Sequence, residues 1–295
     1  MRSDVSFPGH DGTTLRGWLF LPDSAGSQLP GVVMTHGFSA TKEMALDRFA
    51  DLFSEGGIAV LVYDHRCLGA SDGEPRQLID PWAQMRDYVA AIDWLSTQDR
   101  VDAGRIGLWG TSFSGGEALI VGAVDRRVRA VVANVPFVGS PRSQSVSEQS
   151  VHELAVRLRQ GSQLDKEVPL GPMSVVTEAG VDGAAVMPQS EASEWFLDEG
   201  RRPGSGWENL VFLPDGTGVV DFDPSKVLAG LSVPTLLVLA SDDRVAPTAD
   251  GLTAFDLLPE PKDLLVIDGH HFTPYSGGAL TRAATAALQF YLDWL

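Results

Sequence analysis

Apolar residues occur along this chain in short continuous runs that alternate with segments of helical spacing. The runs at residues 30–38 and 58–63 contain no acidic or basic side chain other than one histidine, which is typical of strands buried on both faces of a parallel sheet. Between them, residues 42–56 place apolar side chains three or four positions apart, as a helix with one buried face does. Gly56 and Gly57 are expected to end this helix. The pattern therefore predicts a strand–helix–strand unit early in the chain.

The same alternation predicts further elements on both sides of this unit. Asp80 followed by Pro81 predicts a helix start, because aspartate caps a helix N-terminus and proline fits its first position. The sequence His-Asp-Gly at 10–12 predicts a hairpin turn. The further predicted strands are residues 5–7, 14–21, 106–109, 128–134, 233–240 and 263–267. The further predicted helices are residues 80–96, 117–124, 151–160, 248–258 and 278–295.

Strands that alternate with helices through residues 30–134 predict an α/β fold with a mostly parallel sheet and right-handed crossovers. The alternation of strands and helices stops at about residue 136. Residues 161–225 are rich in Gly, Pro, Ser and acidic residues. An irregular stretch of this length inside an α/β pattern usually marks a lid or a functional insertion. We therefore predict an α/β core formed by residues 1–135 and 232–295, with a lid or cap at 136–231.

Composition narrows the partners that this chain could bind. It has 295 residues, of which 44% are apolar, and a formal net charge of −17. Nucleic acids and anionic membrane surfaces attract Lys and Arg, so the charge argues against both, and we interpret the acidity as a contribution to solubility. The single cysteine, Cys67, allows neither an intrachain disulfide nor a cysteine metal cluster. No histidine is placed to activate it, so we assign it a structural role.

Targeting and cofactor motifs are not evident in the sequence. The first ten residues contain no apolar core of a signal peptide, and no apolar run approaches the ~18 residues of a membrane span. We therefore expect a cytoplasmic protein. Histidine and acidic residues are not grouped with metal-ligand spacing, and no G-x-G-x-x-G follows a strand. The expectation is an enzyme with no metal and no nicotinamide or flavin cofactor.

Residues 105–116, Arg-Ile-Gly-Leu-Trp-Gly-Thr-Ser-Phe-Ser-Gly-Gly, join a predicted strand to a predicted helix. Strand, tight turn and helix is the context in which a nucleophile elbow exposes its serine. The sharp turn needs small residues two before and two after that serine. Gly110 and Ser114 meet this requirement around Ser112, although glycine is usual at the second place. We predict Ser112 as nucleophile and expect Ser114→Gly to be tolerated; the alternative is a Gly/Ser-rich turn without chemistry.

A serine hydroxyl is a weak nucleophile and needs a base, which in turn needs an acid to orient it. In this topology the expected chain order is serine, acid, histidine. Asp243 and His271 each follow a predicted strand downstream of Ser112. Three residues separate Asp243 from the next proline, and this spacing favours it over its neighbour Asp242. The Gly-x-His-Phe arrangement favours His271 over His270.

The oxyanion of an acyl-transfer intermediate needs two backbone N–H donors. We predict Phe113, directly after the nucleophile and at a helix start, and Phe38, in the loop after His36 and Gly37. His36 is expected to brace that loop rather than to transfer protons. Asp64 and Arg66 are interpreted as an ion pair that fixes the following loop, with a substrate contact as the alternative.

With these residues assembled, the chain resembles the α/β-hydrolase superfamily. Within it, the chain is most similar to the branch of dienelactone hydrolases, X-prolyl dipeptidyl-peptidase catalytic domains, polyketide acyltransferases and secondary-metabolite esterases. The stretches that carry the resemblance are HGFSATKEM at 36–44, YDHR at 63–66, GASDGEPR at 69–76 and GLWGTSFSGG at 107–116. The resemblance covers nearly the whole chain, the insertion least. It implies an α/β-hydrolase fold, with Ser112 as nucleophile, Asp243 as acid and His271 as base.

The resemblance implies a reaction class but leaves the reaction open. Superfamily members cleave esters, lactones, thioesters, amides and carbon–carbon bonds, and some transfer acyl groups. We favour hydrolysis of an ester, lactone or thioester of a mid-sized apolar molecule, with polyketide-type acyl transfer to an alcohol as the alternative. Trp195 and Trp207 in the insertion are candidate substrate contacts, or core packing of the insertion. The alternative outside the enzymes is a protein that binds a ligand in the same pocket but does not catalyse a reaction.

Overall fold

A computed structural model describes residues 1–23, 28–141, 148–160, 169–180, 184–214 and 222–295. Its main feature is a sheet of eight strands, in which helices alternate with the parallel strands. In chain order the strands are β1 (Arg2–Pro8), β2 (Thr14–Phe20), β3 (Leu29–Thr35), β4 (Ala59–Tyr63), β5 (Val101–Thr111), β6 (Val128–Asn134), β10 (Thr235–Ala240) and β11 (Lys262–Ile267), with β7–β9 lying outside this sheet. Their order across the sheet is β1-β2-β4-β3-β5-β6-β10-β11.

Only the first edge of the sheet is antiparallel. β1 pairs with β2, and β2 with β4, in antiparallel register. All the other neighbours, from β4 to β11, pair in parallel. The predicted α/β architecture with a mostly parallel sheet is confirmed, and the hairpin predicted at residues 10–12 joins β1 to β2.

The helices cover the sheet in two layers. They are α1 (Leu46–Glu55), α2 (Pro81–Ser96), α3 (Phe113–Val124), α4 (Glu148–Gln160), α5 (Ser190–Glu199), α6 (Thr248–Leu257) and α7 (Gly277–Trp294). α1 packs against α7, whereas α2 packs against α3. Asp80 caps α2 as predicted: its side chain accepts hydrogen bonds from the N–H groups of Trp82 and Ala83. α1 begins later than the predicted residue 42, because Ala45 adopts a left-handed conformation with φ 77°.

Buried tyrosines fix the central strand β5 to the two helix layers. Tyr88 on α2 donates a hydrogen bond to the Trp109 carbonyl at 2.6 Å. Tyr291 on α7 donates to the Leu108 carbonyl, also at 2.6 Å. All four residues are fully buried. Because both faces of β5 are held in this way, the residues at its carboxyl end have a rigid support.

The segment 136–231 contains elements that the sequence did not predict. β7 (Leu170–Val176), β8 (Ala185–Met187) and β9 (Val211–Leu213) form a three-stranded sheet in the order β8-β7-β9. β8 and β9 have only three residues each, too few to show a two-residue period. β9 is bound to the core, since Phe212 exchanges backbone hydrogen bonds with Gln77 and Ile79. That the segment acts as a lid stays a prediction, and 142–147, 161–168, 181–183 and 215–221 lie outside the described residues.

Helix α5 of the inserted segment is attached to the core by ion pairs. Glu199 at its end contacts Arg48 on α1 at 2.8 Å. Just beyond α5, Arg202 contacts Asp47 on α1 at 2.8 Å. These contacts hold α5 over the edge of the sheet where β3, β5, β10 and β11 end, which is the edge at which the predicted site residues lie.

Candidate active site

Ser112 occupies a strained turn between β5 and α3. Its backbone angles are φ 53° and ψ −118°, a region that residues other than glycine rarely adopt. A Cβ at Gly110 would lie 2.1 Å from the Ser114 carbonyl oxygen, so only glycine fits there. The Ser112 N–H donates to the Asn134 carbonyl on the neighbouring strand β6 at 2.9 Å. The turn therefore has the sharpness that the sequence predicted.

Ser112, His271 and Asp243 form one continuous chain of hydrogen bonds. The Ser112 Oγ lies 3.0 Å from His271 Nε2, and His271 Nδ1 lies 2.6 Å from Asp243 Oδ2. The carboxylate accepts at Oδ2, so Nδ1 carries the proton and Nε2 is free to accept from Ser112. His271 and Asp243 are buried, at 1% and 7% exposure. This arrangement can activate a serine hydroxyl, although the catalytic roles of the three residues stay a prediction.

The geometry also separates each candidate from its neighbour. The N–H groups of Val245 and Ala246 donate to Asp243 Oδ1 at 2.9 and 2.7 Å, which orients the carboxylate toward His271. The Asp242 side chain is 68% exposed and faces Arg244. His270 is exposed and accepts from the N–H of Phe272. The structure thus brings together the two residues that the sequence favoured.

Ser114 has a larger part in the turn than its small size suggested. It is fully buried, and its Oγ accepts from the Thr111 N–H at 2.9 Å. The same hydroxyl lies 2.9 Å from the Thr35 carbonyl oxygen on β3, to which it donates. A glycine at position 114 would fit the same space but could make neither the hydrogen bond with Thr111 nor the one with Thr35. These hydrogen bonds argue against the expectation that Ser114→Gly is tolerated, since a buried amide would lose its acceptor.

The two predicted oxyanion donors flank Ser112. Phe113 is the first residue of α3, where a helix leaves its backbone N–H groups without an internal partner. On the other side, a Cβ at Gly37 would lie 3.0 Å from Ser112 Cβ, so this glycine lets the loop before Phe38 approach the serine. The rings of Phe38 and Phe113 meet edge to face with 5.7 Å between centroids. Their role as oxyanion donors stays a prediction.

His36 is positioned to brace the loop that carries Phe38. Its Nε2 accepts from the His65 N–H at 3.1 Å, so Nδ1 carries the proton and donates to the Gly37 carbonyl at 3.0 Å. His36 is fully buried, and this burial lowers its pKa below the ordinary value. A neutral ring is required here, because a proton on Nε2 would abolish the bond from His65.

Asp64 and Arg66 do not pair with each other, which corrects the interpretation from sequence. Asp64 accepts from the Lys42 ammonium at 2.6 Å and from its N–H at 2.7 Å. Arg66 instead binds Asp87 on α2 at 2.6 Å and Asp11 in the β1–β2 turn at 2.9 Å. The two side chains leave the loop in different directions, so each fixes it to a different part of the core.

A small apolar cavity opens above Ser112. It is lined by His36, Gly37, Phe38, Ala40, Met44, Leu46, Thr111, Ser112, Met187, Trp195, Phe196, His271, Phe272 and Tyr275. None of these residues is Asp, Glu, Lys or Arg. Trp195 stacks on Phe272 with 5.0 Å between ring centroids. This contact places α5 against the loop that carries His271.

Trp207, the second candidate substrate contact, is not among the lining residues. Its ring packs on Phe196, 5.6 Å away, and against Gly200, where a Cβ would lie 2.3 Å from the indole. Trp207 thus supports a residue of the cavity wall. The sequence offered no means of separating the two tryptophans, because the insertion lacks a period that would reveal which side chains face inward.

Other candidate chemistries find little support in the part of the chain that the structure describes. It contains no group of three or more His, Cys, Asp or Glu side chains that could hold a metal ion. It also contains no helix with both the length and the apolar character needed to cross a bilayer. Cys67 is buried, and burial raises the pKa of its thiol to about 11, so the reactive thiolate is scarce at neutral pH.

Comparison with known proteins identifies the family. Residues 11–273 match the family described as X-Pro dipeptidyl-peptidase (S15 family). The chain belongs to the S15 family. This S15-family chain is 34% identical over 282 residues to a thiohydrolase of Eupenicillium brefeldianum, covering 94% of this chain and 89% of that protein. It is 35% identical over 273 residues to the polyketide transferase grgF of a Penicillium species, covering 91% and 88%.

A solved structure shares the fold of this S15-family chain. The crystal structure of the alpha/beta hydrolase GrgF from Penicillium sp. sh18 superimposes with a TM-score of 0.79 at 32% identity, covering 100% of this chain and 99% of that one. The predicted α/β-hydrolase fold and the recognised branch are thereby confirmed. So is the predicted enzyme class, a hydrolase or acyltransferase.

Sequence reasoning missed one polar contact of the S15-family site. The Tyr275 hydroxyl, in a short 3₁₀ segment (Thr273–Tyr275), lies 2.5 Å from Thr111 Oγ1. Tyr275 lines the cavity, and Thr111 directly precedes Ser112. The pair joins the His271 loop to the end of β5. No sequence signal marks it, because the partners are 164 residues apart.

The hydrogen bonds of Ser114 can be tested by Ser114→Ala, which removes the hydroxyl and keeps the size small. We expect the free energy of unfolding in urea to fall by about 1–3 kcal/mol, because the buried Thr111 N–H loses its acceptor. Ser276→Ala, at an exposed serine that makes no side-chain cap, is the control and should change stability by less than ~0.5 kcal/mol. Equal stability of the Ser114 and Ser276 variants would contradict this account.

Proposed function

We propose that this protein is a serine hydrolase that forms an acyl-enzyme on Ser112 from an uncharged, apolar thioester, ester or lactone. The observation that carries the proposal is the hydrogen-bond chain from Ser112 through His271 to Asp243, with spacings of 3.0 and 2.6 Å. This hydrogen-bond chain ends in a cavity whose lining, as far as the described residues form it, contains no carboxylate, ammonium or guanidinium group. An activated serine beneath an apolar pocket is suited to acyl chemistry on an apolar chain.

The proposed reaction has two halves. His271 Nε2 takes the proton from Ser112 as Oγ attacks the acyl carbonyl, and the N–H groups of Phe38 and Phe113 bind the oxyanion. His271 then donates that proton to the leaving thiol or alcohol as its bond to the acyl carbon breaks. In the second half His271 deprotonates water, which attacks the acyl-enzyme, and the proton returns to Ser112. Asp243 holds the imidazole in the required tautomer throughout.

The cavity argues for an acyl substrate rather than a peptide. A dipeptidyl-peptidase acts close to the free N-terminus of its substrate, and that ammonium needs an anionic partner when water is excluded. The lining residues supply no such partner. Apolar and aromatic side chains such as Met44, Met187 and Trp195 instead suit a hydrocarbon chain. We therefore assign the chain to acyl chemistry within its family.

Acyl transfer to an alcohol is the second candidate function. The similarity to a protein named polyketide transferase at 35% identity favours it, as the similarity to a thiohydrolase at 34% favours hydrolysis. The first half of the reaction is the same in both. The second half differs only in whether water or an alcohol reaches the acyl carbon, which depends on how far the cavity excludes water.

Covalent labelling tests the nucleophile. A fluorophosphonate probe should add one phosphonyl group to the wild-type protein, and peptide mapping should locate it on Ser112. Ser112→Ala should remain folded and unlabelled, whereas Ser276→Ala, with a change at an exposed serine, should be labelled as the wild type is. A wild-type protein that takes up no label would exclude the acyl-enzyme and favour a non-catalytic ligand-binding role.

The acid can be tested with a matched pair of variants. Asp243→Asn should lower kcat for p-nitrophenyl butyrate by about 10³–10⁴-fold, because the amide favours the wrong tautomer of His271. Asp242→Asn changes a neighbouring carboxylate that is 68% exposed and should leave kcat within about 2-fold, as expected for a surface substitution. Equal losses in the two variants would refute the assignment of Asp243.

Partition of the acyl-enzyme separates hydrolysis from transfer. With a decanoyl thioester as donor, we expect free acid as the main product, and added butanol at millimolar concentration should leave the product ratio unchanged. Mass spectrometry of the products gives this ratio directly. If butyl ester predominates at such concentrations, when water is in large excess, the acyltransferase function is correct instead.

A further inference from the structure

A buried pair of ionisable residues lies behind the nucleophile helix, outside the cavity. Glu117 is on α3, five residues after Ser112, and is fully buried; His65 follows β4 and is 2% exposed. Their nearest atoms, Glu117 Oε2 and His65 Nε2, are 3.3 Å apart. Among the described residues, neither the Glu117 carboxyl nor the His65 ring has a hydrogen-bond partner of standard geometry. Each is therefore the group that faces the other.

The pair occupies a position where an apolar residue would cost less. A buried polar atom without a partner destabilises a protein by about 1–3 kcal/mol. Replacing a buried ion pair with apolar side chains of similar volume is often neutral or stabilising. Local features that violate the rules of packing are expected where function requires them. Glu117 therefore calls for an explanation beyond packing.

His65 connects the pair to the oxyanion loop. Its ring meets the His36 ring edge to face with 4.8 Å between centroids, and its backbone N–H donates to His36 Nε2 at 3.1 Å. His36 in turn donates from Nδ1 to the Gly37 carbonyl at 3.0 Å. The position of the His65 backbone thus supplies the donor to His36 Nε2, and the Nδ1 hydrogen bond of His36 holds the loop that carries Phe38.

We infer that Glu117 is a positioning residue: it holds His65 and so fixes the oxyanion loop relative to the nucleophile helix. Glu117 is on the helix that begins with Phe113, while the chain through His65 and His36 ends at the loop of Phe38. The two N–H donors thereby belong to one connected unit. This inference rests on the proposed function of Ser112 and adds to it the residue that sets the spacing of the two donors.

The protonation states agree with this geometry. Burial, and secondarily the carboxylates of Asp80 and Asp87, raises the pKa of Glu117 well above its ordinary value. Burial, and secondarily His36, lowers the pKa of His65 well below its ordinary value. Both shifts favour the neutral forms of the two groups. Of the two forms of Glu117, only the protonated carboxyl has a proton to point toward His65 Nε2, 3.3 Å away.

Three variants test the role of Glu117, with fluorophosphonate labelling and p-nitrophenyl butyrate hydrolysis as the measurements. Glu117→Gln keeps a donor of the same shape and should retain the wild-type rates. Glu117→Met removes the donor while filling the space, and should slow labelling and lower kcat about 10-fold with KM unchanged, because one oxyanion donor is displaced rather than removed. Tyr63→Phe removes another buried hydroxyl without a partner beside His65 and should change neither rate.

A second route keeps the test decisive if Glu117→Met fails to fold. His65→Phe retains the ring packing and the backbone N–H but removes the acceptor, and should give the same 10-fold loss. When both single variants fold, the double variant should be no slower than either, because groups that act through one contact are not additive. Wild-type rates in Glu117→Met, an equal loss in Glu117→Gln, or additive losses would each overturn the inference. If the wild-type protein itself is not labelled, the proposed function fails instead.

Discussion

The strained backbone of Ser112 is the constraint on which the rest of the site depends. A residue held at φ 53° and ψ −118° costs about 1–3 kcal/mol and persists only where its surroundings determine it. Here β5 enters the turn between two helix layers, held by Tyr88 and Tyr291. Beyond it, the Ser114 hydroxyl joins the turn to β3. The strain is therefore supported by neighbours on both sides of the serine, and the hydroxyl stays exposed to the cavity.

Parallel pairing explains how residues so distant in sequence meet at this serine. Asp243 follows β10 and His271 follows β11, and these strands pair directly in parallel, so both loops leave the same edge of the sheet. β6 and β10 lie between β5 and β11, so the loop that carries His271 reaches back across two strands to bring the imidazole to Ser112. The register of the sheet and one short loop per residue bring the three side chains together. His271 then lies 3.0 Å from Ser112 and 2.6 Å from Asp243.

The sequence predicted the features that follow from local order and missed those that depend on distant contacts. That Ser112, Asp243 and His271 lie together could be predicted because each follows a buried strand in a fixed order. The role of Ser114 could not, since its partner Thr35 is 79 residues away. Asp64 and Arg66 are only two residues apart, which favours an ion pair between them. The geometry of the loop instead directs the two side chains to different partners. In the insertion, short strands and irregular spacing gave no signal that would separate Trp195 from Trp207.

The cavity and the His271 loop share the same supports, which couples the fit of a ligand to the alignment of His271. Arg48 donates to Glu199 at the end of α5 and to the Tyr275 carbonyl, at 2.8 and 3.1 Å. Trp195 on that helix stacks on Phe272, the residue after His271. A ligand that displaces Trp195 therefore pushes on the loop of the histidine itself. Because packed interiors transmit such shifts, a ligand that fits the cavity without moving Trp195 leaves His271 aligned with Ser112.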